Sequence, residues 1–243
     1  MWSLIKKEFN AFFQSSTGVL ILCVYLSLNG IFLWVLDGPF NLIESGFAQL
    51  DGLFILSPWV FLFLLPAIGM RMIAEEKRSG TLEWLLTKPL SEWSIIIGKW
   101  IAGMGLVVLA LLPTSIYCYS MYNLGNPVGN IDWGSTLGSY MGLLLLAGAY
   151  LSMAIFASAL TDNQIVAFVI GALLSLFFYI GFDEIAGMAP FKGQELFVLR
   201  LGIDEHYRSI SRGVVDSRDV VYFLGLTLAF LGAARTTLQS RKW

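Results

Sequence analysis

Groups that do covalent or redox chemistry are scarce in this sequence. The single histidine, His206, cannot supply a bis-histidine haem site, and Cys23 and Cys118 stand alone without CxxC spacing, so both read as small apolar side chains buried inside spans. No HExxH or GxSxG pattern occurs, which removes intramembrane hydrolysis by those routes. A phosphate-cradling GxxxxGK[ST] is also missing, because Gly98-Lys99 is followed by Trp100 and Trp93 stands where the first glycine belongs. The sequence therefore offers no catalytic residue, no metal set and no cofactor site of its own. Charged residues make up only 13% of the chain, and the net charge of −2 gives nucleic acid no basic surface. None of those charges falls in the middle of the five longest apolar runs, so the buried relay of a secondary transporter is absent and any driving force must come from another subunit.

Long uncharged intervals fill the rest. Phe9–Leu36, the stretch between Asp51 and Arg71, Trp100–Ile131, Trp133–Thr161 and Asn163–Phe182 each approach or exceed the roughly 20 residues a helix needs to cross a ~30 Å hydrocarbon core. Val220–Ala234 is shorter and spans only if Arg235 snorkels and the helix extends through Leu238. The expectation is an all-α integral membrane protein with six transmembrane helices, at about 16–36, 52–71, 100–122, 134–160, 163–182 and 219–238, in one membrane domain over 1–243. The polar intervals are too short for a soluble core. Five spans, with 220–234 lying on the surface, is the structural alternative.

Lys and Arg set the orientation. Lys6, Lys7, Arg71, Lys77, Arg78, Lys88, Lys99, Arg235, Arg241 and Lys242 share one side if both termini are cytoplasmic, whereas 37–51 and 123–132 hold no Lys or Arg. The interval 183–219 dissents with Lys192, Arg200, Arg208, Arg212 and Arg218. A multi-pass protein of the bacterial inner membrane, with both termini inside, is expected. At the start, Trp2, Ile5, Phe9, Phe12 and Phe13 follow the spacing of one helical face opposite Lys6, Lys7 and Glu8, which predicts an amphipathic interfacial helix lying on membrane lipid. Within the spans, Gly138 and Gly142 form a GxxxG pair for close helix approach, Pro58, Pro66 and Pro113 should kink or end their helices, and Asn29 wants an interhelical partner or lines a path.

The connection between spans 2 and 3 carries most of the polar information. Glu75, Glu76, Lys77 and Arg78 extend span 2 as a charged turn, Gly80 bends it, and 81–87 predicts a short helix with Leu82, Leu85 and Leu86 along one side. Pro89 stops that helix, and Ser91-Glu92 caps the next. A docking element and an ordinary solvated loop both fit these residues. The run Glu75–Pro89, followed by Gly98-Lys99, resembles the signature of ABC-2 type transporter permeases, and His206–Phe223 is similar to the stretch before the last span in permeases of the gliding-motility GldF type.

That resemblance spans essentially the whole chain and implies a function. The loop would hold a cytoplasmic coupling helix that docks on a separate ATPase, with Glu75, Glu76, Arg78, Gly80, Thr81, Leu82, Glu83, Leu86 and Pro89 carrying coupling, and ATP and Mg bound by the partner. The partners implied are a GldA-like ATPase and, as second membrane half, a GldG-like protein or another copy of the chain. It also implies a partly re-entrant outer segment between spans 5 and 6. Phe191, Phe197, His206 and Arg212 are candidates there, either capping a transport path or meeting a periplasmic partner. An ATP-driven exporter of unnamed cargo, a non-transporting mechanical or regulatory complex, and a membrane scaffold are the readings carried forward.

Overall fold

The computed structural model describes residues 2–14, 16–86, 91–188 and 193–240, and all regular structure among them is helical. Helix α1 (Trp2–Gln14) leads into α2 (Ser16–Trp34), the first span. The second span is α3 (Asp51–Gly69), and after a turn come the short α4 (Ala74–Arg78) and α5 (Thr81–Leu86). Span 3 is α6 (Glu92–Leu111), a 3-10 turn over Leu112–Thr114, and α7 (Ser115–Leu124). Span 4 is α8 (Trp133–Leu160). Span 5 is α9 (Gln164–Leu176), which passes through a π-turn at Phe177–Gly181 into α10 (Phe182–Ala186). Two short helices, α11 (Glu195–Leu199) and α12 (Ile203–Ile210), precede α13 (Ser217–Gln239). With 23 residues α13 is long enough to cross, so six helices have the length and apolarity of spans.

Local chemistry explains where these helices start and break. Side chains of Ser91, Asp132, Asn163 and Asp216 accept backbone N–H groups in the first turns of α6, α8, α9 and α13, which satisfies donors that a helix leaves orphaned. Pro113 has no N–H to give, and span 3 tightens into its 3-10 turn there. Of the two outcomes expected at Pro58, a kink or a helix end, the end does not occur, since α3 continues past it to Gly69.

Spans 2 and 4 are mostly buried at the centre, while spans 1, 5 and 6 turn wide apolar faces outward. Lipid gives helices little hydrophobic reason to associate, so close packing has to supply it. Gly69 of α3 lies so near α8 that an added Cβ would stand 2.4 Å from Ala154 Cβ. The GxxxG pair does something other than join two spans: a Cβ on Gly138 would meet the Gly213 carbonyl oxygen at 2.6 Å, and one on Gly142 would meet Ile210 Cγ2 at 2.4 Å. These glycines form a flat seat for the segment between spans 5 and 6.

That segment is pinned from several sides. Tyr207 donates its hydroxyl to the Phe54 carbonyl at 2.7 Å, and Ser135 and Ser139 donate to the carbonyls of Arg212 (2.9 Å) and Ser211 (2.8 Å). His206 sets Nδ1 2.7 Å from Asp219 and Nε2 2.9 Å from the Arg200 carbonyl, with its ring stacked on Tyr222. Arg208 bridges Asp204 and, at 3.8 Å, Asp183 beyond the π-turn. Burial holds the Asp204 carboxyl above its usual range, Arg208 opposing and Asp183 adding to the rise. Arg212 lines a cleft of about 630 Å³ between α12 and spans 2 and 5, Phe197 is exposed on α11, and Phe191 lies outside the described residues.

Two expectations inside the spans need correction. Cys23 is exposed on α2 rather than buried, because it falls on the outward face of the first span; Cys118 is buried. Asn29 is fully buried, yet its amide donates to the Tyr25 carbonyl of its own helix at 2.9 Å, one turn back, and makes no interhelical bond among the described residues. Both chain ends meet at one end of the bundle, called the terminal end below, where Arg235 pairs with Glu92 at 3.2 Å and Gln239 donates to the same carboxylate at 2.6 Å. Gly142→Val should unseat α12 and cost about 1–3 kcal/mol by overpacking, read as a lower melting temperature in detergent and faster proteolysis between residues 195 and 216. An unchanged melt would contradict the seat.

Candidate functional site

The terminal end gathers the chain's most constrained polar groups. After α3 ends at Gly69 the backbone turns before α4 begins, and a break at the edge of hydrocarbon exposes peptide groups that need partners. Ser158, fully buried on α8, supplies them: its hydroxyl oxygen accepts from the N–H of Ile73 (3.1 Å) and Ala74 (2.9 Å) while it donates to the Met70 carbonyl (3.0 Å). Lys77 donates to the Ala159 carbonyl one residue on. Arg71 binds Glu75 at 2.9 Å and donates to Thr17 Oγ1 at 2.7 Å, tying the elbow formed by residues 70–86 to the start of span 1. The elbow is thus clamped to spans 1 and 4.

A buried charge makes the third clamp. Lys99, on α6, is 1% exposed, and its ammonium lies 2.9 Å from Glu76 of α4 and 3.2 Å from Glu8 of α1. Neither carboxylate is far from water, at 14% and 12% exposure, so the triad sits at an interface rather than in mid-membrane. Lys99 had read only as one of the positive residues between spans 2 and 3; it lies in the helix that Ser91 caps, as expected, but is buried there. Helix α1 reaches the triad because Gly98 and Gly105 leave room for Leu4 and Phe9 on the surface of α6.

The face of α1 that meets the bundle is not quite the one its sequence suggested. Leu4 is buried, Ile5, Phe9 and Phe12 are half-buried, and Glu8 shares their side, whereas Trp2 is 78% exposed and Phe13 points outward. The signal was legible: Leu4, Glu8 and Phe12 lie four residues apart, which puts a carboxylate in an apolar stripe.

Beyond the triad, Gly80 takes φ +70°, a left-handed conformation that a side chain disfavours, and reverses the chain between α4 and α5. The six-residue α5 has one inner face. Leu82 and Leu85 occupy it, 4% and 8% exposed, Leu85 packing with Leu4 and Ile95. Leu82 is therefore buried against the chain's own bundle, while among the described side chains of α5 Trp84 is turned outward, 79% exposed, beside exposed Arg78, Thr81 and Glu83. Glu75 and Glu76 face the clamps described above. Leu86 ends α5, and Pro89 lies outside the described residues. Among the described residues no cluster of His, Cys, Asp and Glu fits a metal ion.

Six helical spans joined at one end by a clamped polar hairpin define a multi-pass helical membrane protein. The chain belongs to the ABC-2 family of transporter proteins, whose sequence profile, described as ABC-2 family transporter protein, matches residues 2–238. It is accordingly a permease subunit of an ABC transporter, a kind of subunit that works with an ABC ATPase. No curated protein matches the sequence.

Lys99→Met strands two partly buried carboxylates and should cost about 3 kcal/mol, more than Glu8→Gln, which leaves Lys99 its shorter bond to Glu76; denaturation in micelles compares the two. Ser158→Ala leaves two backbone N–H groups unpaired, and a loss of about 1–3 kcal/mol is expected in the same assay.

Proposed function

We propose that this chain couples ATP hydrolysis by a separate nucleotide-binding subunit to the movement of cargo out across the bacterial inner membrane, with the terminal end cytoplasmic. The observation that carries this reading is the construction of the elbow. It is fixed to spans 1, 3 and 4 through Arg71, Lys99 and Ser158, while Arg78, Thr81, Glu83 and Trp84 point outward from α4 and α5. A lever must be stiff toward what it moves and open toward what pushes it. Lys6, Lys7, Arg71, Lys77, Lys99 and Arg235 all fall at this end, which supports a cytoplasmic placement by the positive-inside rule.

In this reading the assembly holds two six-span halves and two ATPases, which bind ATP and Mg. The resemblance of residues 206–223 to the GldF type supports a GldA-like ATPase, a GldG-like second half and a link to gliding motility. One observation favours a second reading in which the complex does mechanical work on an envelope partner: Leu196 and Phe197, 72% and 67% exposed on α11, are large apolar side chains at the end opposite the elbow.

Trp84→Ala is expected to lower recovery of the ATPase in pull-downs at least tenfold, since exposed tryptophans dominate such contacts. Arg78→Glu should weaken it as well, with membrane insertion unaffected in both. Leu82→Asp should instead destabilise the elbow itself. Full ATPase recovery with both Trp84→Ala and Arg78→Glu would overturn the assignment.

A further inference from the structure

A cavity of about 230 Å³ opens at the terminal end between α1 and the ends of spans 2 and 3. Its depth follows from span 3. The 33 residues from Glu92 to Leu124 form about 50 Å of helix against a ~30 Å hydrocarbon core, so the first turns of α6 stand clear and Lys99 lies near the core's edge, at headgroup level.

The walls carry unused donors and an unused acceptor. Lys7 is 66% exposed and approaches Glu8 and Glu76 only to 3.9 and 4.0 Å, beyond hydrogen-bond length, so its N–H groups are open to a ligand. Arg71 commits three of its five N–H donors, to Glu75 and Thr17. On the other side, Glu76 Oε1 forms an ion pair with Lys99, yet neither that ammonium nor the carboxylate's buried Oε2 has a hydrogen-bond partner among the described residues, a state that costs free energy while it lasts. Ala11, Phe12 and Met72 make the remaining wall apolar.

We propose that this cavity holds the headgroup of an aminophospholipid, a phosphatidylethanolamine-type lipid of the terminal-end leaflet. The phosphate would lie against Lys7 and the spare N–H groups of Arg71. A turn of the Glu76 carboxylate would bring its closed-off Oε2 to the cavity, where the primary ammonium would donate to it, and the glycerol end would leave along Phe12 and Met72. A cation with N–H groups satisfies the orphaned oxygen; a quaternary choline has none to give. Lining charges of three cations and three carboxylates suit a zwitterion better than an anionic headgroup.

The test is native mass spectrometry of the full-length chain released from nanodiscs that hold equal amounts of phosphatidylethanolamine, its mono- and dimethyl derivatives, phosphatidylcholine and phosphatidylglycerol. Phosphatidylethanolamine should be retained roughly ten- to a hundredfold over phosphatidylcholine, the loss of one charge-assisted hydrogen bond, with retention falling as methyl groups are added. Glu76→Gln should bring the ratio near one, and Lys7→Gln should lower retention of every phospholipid. Equal retention of the two lipids by the wild type, a preference for phosphatidylglycerol, or an ethanolamine preference that survives Glu76→Gln would overturn the proposal. So would displacement of the lipid by free phosphoethanolamine at matched concentration, which would point to a soluble occupant. Should Glu76→Gln fail to fold, the methylation series on the wild type decides alone. No nucleotide or ATPase is needed, so failure here leaves the coupling reading standing.

Discussion

A single ammonium group constrains the terminal end. Lys99 has almost no contact with water, and burying a cation is costly unless opposite charge replaces its hydration. Attraction to one carboxylate about 3 Å away is worth roughly 5 kcal/mol at an effective dielectric of 20, comparable with the several kcal/mol that desolvation costs, so a second carboxylate matters. The two come from different elements, Glu8 from the N-terminal helix and Glu76 from the elbow. Three segments that are far apart in sequence must therefore share one position, and the rest of that end is arranged around it.

Backbone polarity imposes the other condition. A span that stops at the edge of hydrocarbon has to hand its peptide groups to something, and one serine on a neighbouring span receives three of them. Ser158 can do so because Gly69 has no side chain and lets α3 lie against α8 at Ala154. The opposite end obeys the same rule with different parts: Ser135 and Ser139 take carbonyls of the segment after α12, and Gly138 and Gly142 give it room. Span 4 is the common element, offering small and hydroxyl residues to both ends.

Much of this fold could be read from the sequence, because span length and the absence of charge are strong signals that depend on no partner. The elbow was legible too, since Gly80 and the charged run before it are local features. What the sequence hid were relations between distant residues. Ser158 looks like any small residue of a span, and nothing near it announces that residues 70–74 will need its hydroxyl. The cap at Ser91-Glu92 was legible, but Lys99 showed only as a positive residue ahead of span 3, because its carboxylate partners Glu8 and Glu76 lie far from it in sequence. Leu82 misled for another reason: a six-residue helix shows the same leucine spacing whether its apolar face meets its own bundle or a partner, and only the packing of Leu85 on Leu4 and Ile95 decides.

The two kinds of contact at the elbow differ in how they respond to force. Hydrogen bonds near 3 Å are directional and weaken steeply when stretched or bent, and ion pairs oppose separation over a longer range, so the Ser158 and Lys99 clamps both resist displacement of the elbow. The Gly69–Ala154 contact between spans 2 and 4 is apolar and small, but the Ser158 bonds to Met70, Ile73 and Ala74 lie beside it and hold the two spans in register at this end. In the coupling role proposed above, a push on α5 would be passed first to the ends of spans 3 and 4 and to α1. On this argument the N-terminal helix moves with the elbow. Its attachment through Glu8 makes it part of the moving assembly, where a passive anchor would need only the apolar contacts of Leu4 and Phe9.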